Sequence, residues 1–276
     1  MLTDKVETGF ANIKGTSIYY EIKGNGTPLI LVHGNFGDCR YWDAQFEVFA
    51  EKYRVVRYDF RGYGKSSMPK EGERFSHYED LRALLEHLSI PNATMIGFSM
   101  GCAIALDLAI VYPEKIDALV CVGPWICGYN SPSIQEFYKG FEEITRIATS
   151  QGREEASTYC QTLKFLNPVL PNHAVQDKMK QLIEGYSFWR FIHGNHVYTL
   201  EPSACEQLHK INVPTLIVTA DNDIPVCKEV AELLEKKVRN TKKVVFKDAG
   251  HLMFMEYPKV FNREVITFLD NNLPKE

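Results

Sequence analysis

The sequence predicts an α/β fold, in which a mostly parallel sheet of eight strands is flanked by helices and carries a helical insertion. Three observations predict it. Short apolar segments recur along the chain, helical patterns separate most of them, and one long segment breaks this alternation. Continuous apolar runs are typical of strands buried on both faces, and strands that alternate with helices form parallel sheets covered on both sides.

The strands can be placed from these apolar segments. Residues 10–13 and 17–22 alternate in strand fashion, and residues 14–16 between them predict a hairpin turn. Each of six later apolar runs predicts one further strand, at residues 29–32, 55–58, 94–96, 118–122, 215–218 and 243–246.

Helical patterns lie between the apolar runs, at residues 76–88, 100–111, 228–238 and 258–269. The first two end close to Pro91 and Pro113, because proline cannot continue a helix. Such helices connect parallel strands by right-handed crossovers, so we expect them to cover both faces of the sheet.

Residues 124–208 contain no clear buried strand and are rich in aromatic side chains at helix-like spacings. We therefore expect residues 1–123 and 209–276 to form the core and residues 124–208 to form a helical cap. The cap would lie over the carboxyl ends of the strands, where ligands bind in open α/β sheets. Most of its aromatics would pack within the cap, while Trp125 and Phe188, together with Phe36 of the core, would face a substrate pocket.

Composition narrows the possible partners. The net charge is −4 and no cluster of Lys and Arg forms a basic face, so we expect no nucleic-acid partner. Residues 1–7 lack the apolar core of a signal peptide, and no apolar run is long enough to span a bilayer, so we expect a cytoplasmic protein with no membrane partner.

The seven cysteines are scattered, which favours free thiols, and no Cys, His or carboxylate group has metal-ligand spacing. We expect no metal.

Gly97-Phe98-Ser99-Met100-Gly101 has the pattern of a serine on a sharp turn between a strand and a helix. Such a turn crowds its neighbours, so glycines are favoured two residues before and after the serine. The turn points the serine oxygen away from the sheet at a helix N-terminus, which favours developing negative charge. Ser99 is thus a candidate nucleophile, although a serine between glycines is often only a flexible turn. Cys102 is a weaker candidate, because its place on a buried helix indicates packing.

A serine nucleophile needs a base that accepts its proton, and the base needs a group that orients it. Residues of both kinds follow predicted strands. Asp221 and Asp223 follow the strand at residues 215–218, and His251 follows the last strand. In this topology the order along the chain is serine, acid, histidine, which leaves both aspartates as candidates for the acid.

Five stretches in this order resemble the α/β-hydrolase fold family, in its cap-bearing branch of esterases, lactonases and carbon–carbon hydrolases. They are His33-Gly34-Asn35-Phe36-Gly37, Asp59-Phe60-Arg61-Gly62-Tyr63-Gly64-Lys65-Ser66, Gly97 to Gly101, Asp221-Asn222-Asp223-Ile224-Pro225 and Gly250-His251. Together they extend the resemblance across nearly the whole chain outside the insertion.

The resemblance implies roles for particular residues. The family's acid is followed shortly by proline, which favours Asp223 over Asp221 as the partner of His251. The oxyanion hole would use the backbone N–H groups of Met100 and Asn35, with Phe36 as the competitor of Asn35. The family also implies that His33 braces its loop through hydrogen bonds and that the stretch after Asp59 is a structural turn.

These residues predict a serine hydrolase that needs no cofactor and cleaves a small carboxylic ester, thioester or lactone with water by two-step acyl transfer. Carbon–carbon bond hydrolysis and perhydrolysis would use the same triad. Dehalogenase and epoxide-hydrolase chemistry are disfavoured, because those members use an aspartate where Ser99 stands. A small-ligand receptor with slow turnover is an alternative of another class, and an inactive scaffold would not need all three groups.

Overall fold

A sheet of eight strands runs through the protein, whose computed structural model describes residues 5–273. The strands are β1 (Glu7–Ile13), β2 (Thr16–Lys23), β3 (Pro28–Val32), β4 (Arg54–Tyr58), β5 (Ala93–Phe98), β6 (Ile116–Val122), β7 (Thr215–Ala220) and β8 (Thr241–Phe246). Their order in the sheet is β1-β2-β4-β3-β5-β6-β7-β8. Only the two pairings of β2 are antiparallel among these strands, so the expected mostly parallel sheet is confirmed.

Helices flank this sheet. In chain order they are α1 (Asp43–Ala50), α2 (His77–His87), α3 (Met100–Val111), α4 (Pro132–Ser150), α5 (Arg153–Gln161), α6 (His173–Gly185), α7 (Trp189–His193), α8 (Ala204–Gln207), α9 (Pro225–Lys237), α10 (Met253–Glu256) and α11 (Pro258–Asn272). No helix in the described part of the chain has the length and hydropathy needed to cross a bilayer. The expectation that residues 1–7 do not form a signal peptide rests partly on residues 1–4. These four residues lie outside the described residues.

Four of these helices, α2, α3, α9 and α11, correspond to the helical patterns of the sequence. Helix α9 begins three residues earlier than the pattern indicates, because Pro225 occupies its first turn, where a missing N–H costs nothing. Helix α1 was not predicted. It has only eight residues, and so short a helix depends on packing against its neighbours more than on its own periodicity.

The N-terminal hairpin forms as its sequence predicts. Lys14 and Gly15 both have positive φ angles, of 51° and 84°, as the tight connection between β1 and β2 requires. The Asn12 side chain accepts the Gly15 N–H at 3.0 Å and closes the turn.

Helix α3 lies at the centre of the molecule. Ten of its residues are buried, and it packs against β5, β6 and α2, so it is apolar on all sides rather than amphipathic. Every residue of β5 is buried as well. The turn that joins β5 to α3 therefore lies between two rigid elements, which fixes the position of Ser99.

The chain between β6 and β7 folds into helices α4 to α8, which we call the cap. Polar contacts tie it to the core. The hydroxyls of Ser131 and Ser133 donate to Glu229 of α9, at 2.7 and 2.5 Å. On the other side of the cap the Val169 N–H donates to Glu256 at 2.9 Å. The cap is thus anchored to helices that follow β7 and β8.

Replacing Gly101 by alanine should destabilise the protein. The added Cβ would lie 2.2 Å from the carbonyl oxygen of Val32 and 2.4 Å from that of His33, and neither backbone atom can move freely. Overpacking of this kind costs about 1–3 kcal/mol, and we expect the upper end of that range. Thermal unfolding followed by circular dichroism measures the change.

Gly140→Ala is the matched control, because a Cβ at this helical position meets no atom within 4 Å. It should stabilise the protein by about 0.5–1 kcal/mol through helix propensity. Equal unfolding midpoints for the two variants would contradict the crowding described at Gly101.

Candidate active site

Ser99 lies on the strained turn between β5 and α3, with φ 53° and ψ −114°. Few residues other than glycine adopt such a conformation, and it is held here by close packing. A Cβ on Gly97 would lie 2.5 Å from the carbonyl oxygen of Gly101. The Ser99 N–H donates to the carbonyl of Val122 at 2.9 Å, which fastens the turn to β6.

His251 and Asp223 form a buried pair at the ends of β8 and β7. His251 Nδ1 donates to Asp223 Oδ1 at 2.7 Å, and both side chains are almost completely buried. The same carboxylate accepts the Ile224 N–H at 2.7 Å and the hydroxyl of Thr219 at 3.4 Å. These bonds orient the imidazole and leave its Nε2 as the nitrogen that can exchange a proton with another group.

Asp221 has a different place. Its carboxylate accepts the backbone N–H groups of Asp248 and Ala249, at 3.2 and 3.4 Å, and these bonds lower its pKa. It therefore braces the loop that leads to His251 without touching the imidazole. Of the two aspartates, the geometry joins to the histidine the one that the resemblance favoured, Asp223.

Gly123 is a residue of this site that the sequence reasoning missed. It directly follows β6 with a positive φ of 49°, and a Cβ there would lie 2.8 Å from both Cε1 and Nδ1 of His251. Only glycine leaves room for the imidazole. The one signal in the sequence is a glycine at the end of an apolar run, which does not reveal the distant histidine.

Three backbone N–H groups are candidates for binding an oxyanion, those of Asn35, Phe36 and Met100. No acceptor within residues 5–273 takes any of the three. Met100 begins α3, so its N–H has no partner within the helix. Asn35 is held by two tyrosines, since Tyr41 donates to its backbone carbonyl at 2.9 Å and Tyr63 donates to its Oδ1 at 2.8 Å. The N–H groups of Asn35 and Phe36 both remain candidates for the second oxyanion donor beside that of Met100.

The loop before these donors is braced by His33. Its Nδ1–H donates to the Gly34 carbonyl at 2.7 Å, its Nε2 accepts the Phe60 N–H at 3.2 Å, and its ring stacks on that of Phe60 at 3.6 Å. Burial lowers the pKa of His33, which keeps the ring neutral and able to accept. This residue has the structural role that the resemblance implied.

One cavity brings these groups together beneath the cap. It encloses about 580 Å³ of empty space, part of it open to solvent. Its lining is mainly aromatic and comprises Asn35, Phe36, Tyr41, Phe98, Ser99, Met100, Trp125, Phe137, Tyr138, Phe141, Phe165, Leu166, Arg190 and His251. The Ser99 hydroxyl makes no hydrogen bond to the described residues. Catalytic hydrogen bonds commonly shorten only when substrate binds.

Two of the three expected pocket aromatics, Phe36 and Trp125, line this cavity. The expectation for Phe188 is wrong. Phe188 is fully buried and packs against Tyr186 and Phe191, behind the cavity wall. Its own backbone has a positive φ of 56°, so the chain turns there and the side chain enters the packing of the cap. Arg190, which the sequence reasoning did not consider, reaches the cavity two residues later.

Two groups of side chains have the proximity of metal ligands. Asp223, Cys227 and His251 place ligand atoms within 4.8 Å of one another, and so do Asp38, Cys39 and Asp59. In the first group the carboxylate and the imidazole already bond to each other, and in the second Asp59 accepts the backbone N–H groups of Cys39 and Lys65. The carboxylates that would bind a metal thus have partners within the protein.

Comparisons with known proteins agree with this architecture. A family model described as alpha/beta hydrolase fold matches residues 27–145. The 3-oxoadipate enol-lactonase 2 of Acinetobacter baylyi is 27% identical over 86% of this chain and 87% of its own. The pimeloyl-(acyl-carrier protein) methyl ester esterase of Nitrosospira multiformis is 24% identical over 91% of this chain and 98% of its own. The structure of an esterase from Exiguobacterium antarcticum, 23% identical, has a TM-score of 0.78 over 95% of this chain and 98% of its own.

The matched range contains the loop with Asn35 and the turn with Ser99. Both of these relatives span most of the chain and are hydrolases by name, one a lactonase and the other an esterase. The protein is accordingly an enzyme that hydrolyses small-molecule substrates, and the expected family is confirmed. The chain belongs to the α/β-hydrolase superfamily.

Proposed function

We propose that the protein is a serine hydrolase that cleaves a small carboxylic ester, thioester or lactone by two-step acyl transfer. The observation that carries this proposal is the shared cavity. Ser99 and His251 line it together, Asp223 holds the imidazole from behind, and backbone N–H groups without acceptors lie beside the serine. A nucleophile, an oriented base and oxyanion donors are the parts that acyl transfer needs.

In the first step the Ser99 hydroxyl attacks the substrate carbonyl carbon while His251 Nε2 accepts the hydroxyl proton. Asp223 accepts the Nδ1–H throughout and stabilises the imidazolium that forms. The carbonyl oxygen becomes an oxyanion and is bound by the N–H of Met100 and that of Asn35 or Phe36. The tetrahedral intermediate then breaks its bond to the leaving alcohol or thiol, which takes the proton from His251.

In the second step water attacks the acyl-enzyme. His251 Nε2 accepts a proton from the water, the same N–H groups bind the second oxyanion, and Ser99 leaves with the proton from His251. The products are a carboxylic acid and the regenerated hydroxyl. No other reactant is needed for this cycle.

The cavity supports a small, largely apolar acyl group. Most of its wall is aromatic, as in other sites that bind small apolar groups. In this proposal residues 124–208 act as the cap that closes the cavity and excludes water from the carbonyl. The names of two full-length relatives, an enol-lactonase and a methyl ester esterase, support the choice of ester-like bonds.

Ser99→Ala should lower turnover of p-nitrophenyl acetate by roughly 10⁴-fold or more, because the attacking oxygen is lost. Release of p-nitrophenolate in the steady state measures it. Labelling by a fluorophosphonate should likewise occur in the parent protein and be absent from the variant. Cys102→Ala is the control, because this thiol is fully buried three residues after Ser99 and has a pKa far above its usual range. Retained turnover in Ser99→Ala would reject the nucleophile, and arrest of the parent protein after one turnover would indicate a receptor.

Asp223→Asn should lower kcat by roughly 10³–10⁴-fold, because the amide no longer fixes the imidazole tautomer that accepts the serine proton. Asp221→Asn is the matched control on the same loop. Its side-chain oxygen can still accept one backbone N–H of the loop, so kcat should fall by less than about tenfold. Both are measured as full pH profiles on the same ester. A larger loss in Asp221→Asn than in Asp223→Asn would reverse the assignment of the acid.

A further inference from the structure

Arg190 reaches the active-site cavity from helix α7 of the cap. It lines the cavity together with Ser99 and His251. Its Nη1 lies 3.7 Å from the sulfur of Met100, the residue that directly follows Ser99. The cap therefore places a positive charge beside the candidate nucleophile.

This guanidinium forms no ion pair with any Asp or Glu of residues 5–273. Two buried arginines of the core, in contrast, each form ion pairs with two carboxylates. Arg57 contacts the carboxylates of Glu21 and Asp43, and Arg61 contacts those of Asp80 and Glu73. Removing a charge from water without a partner is costly, so arginines inside proteins are normally paired. Arg190 is half-buried at the cavity and has no carboxylate partner among residues 5–273.

The contacts that Arg190 does make are with neutral groups. Its guanidinium carbon lies 5.9 Å from the ring centre of Phe141 and 5.5 Å from that of Phe191. Aromatic rings stabilise a cation through its face and hold it in place without using its N–H groups. The Met100 sulfur is a weak acceptor for a single N–H, and the Tyr63 hydroxyl is a neutral hydrogen-bond partner. The planar fork is therefore positioned, and most of its five N–H donors have no acceptor among residues 5–273.

Asp107 is not the missing counter-ion. It lines an adjoining cavity with Arg190, but the two side chains form no ion pair. Burial alone raises the pKa of Asp107 to about 7, and a nearby guanidinium would have opposed that rise. The positive charge thus faces the cavity space rather than this carboxyl group.

We propose that Arg190 binds a carboxylate carried by the acyl part of the substrate. The enzyme would then act on esters or lactones of short acids that bear a second, free carboxylate. A carboxylate matches the planar fork with two parallel hydrogen bonds and neutralises its single charge. A doubly charged phosphate would leave one charge unbalanced among aromatic walls. This inference rests on the proposed function and narrows its substrate class.

Monomethyl glutarate and methyl valerate test the proposal, because they differ only in a terminal carboxylate in place of a methyl group. Acid release in a pH-stat gives kcat/KM for each. We expect the parent enzyme to favour the anionic ester, and Arg190→Gln to lower the ratio of anionic to neutral kcat/KM by roughly 30-fold, mainly through KM of the anionic ester. Arg190→Lys keeps the charge but loses the fork, and it should give an intermediate ratio.

Arg153→Gln is the matched control, because Arg153 is an exposed arginine of the cap. It should leave the ratio unchanged. An Arg190→Gln enzyme that hydrolyses both esters with the parent's ratio would overturn the proposal while leaving the serine hydrolase intact.

Binding to the Ser99→Ala protein separates the two proposals. Titration calorimetry with monomethyl glutarate should show binding that weakens at least tenfold when Arg190→Gln is added. If this binding is found but the parent protein turns over no ester, the proposed function fails and the carboxylate site stands. If Ser99→Ala binds the anionic and neutral esters equally, the carboxylate site fails.

Discussion

The close approach of helix α3 to the end of β3 is the contact on which the rest of the site depends. Gly101 allows it, since its Cα lies against the carbonyls of Val32 and His33 with no room for a side chain. This contact brings the N-terminus of α3, with the Met100 N–H, beside the loop that carries Asn35. Ser99, two residues before Gly101, has a positive φ of 53° at this turn. One backbone contact thus places the candidate nucleophile and the candidate oxyanion donors together.

The acid and the base are held by a separate set of contacts at the other side of the cavity. Asp223 fixes the imidazole of His251, Asp221 fixes the loop that leads to it, and Gly123 leaves space for its ring. These groups follow the three neighbouring parallel strands β6, β7 and β8, and such strands end at the same edge of the sheet. Groups that act on one carbonyl can then come from distant parts of the chain without long flexible loops.

The candidate reacting groups lie on the core, and the cap contributes none of them. Five aromatic side chains of the cap line the cavity, namely Trp125, Phe137, Tyr138, Phe141 and Phe165, and Arg190 adds one positive charge to its wall. In the proposed function the core therefore supplies the catalytic groups and the cap supplies contacts to the substrate. The charges differ in the same way. Arg57 and Arg61 of the core form ion pairs with carboxylates, whereas Arg190 of the cap has no carboxylate partner among residues 5–273.

The sequence by itself determined the sheet, most helices of the core, the helical cap, and the turn that carries Ser99, because strands, helices and tight turns depend on local periodicity and on glycine or proline. It also gave His251 as a candidate from its place after the last strand. Tertiary structure alone decided the rest. The need for Gly123, the burial of Phe188 and the lack of a carboxylate partner for Arg190 among residues 5–273 depend on which distant residues meet. Contacts between residues far apart in the chain leave no regular spacing in the sequence, so no local pattern could reveal them.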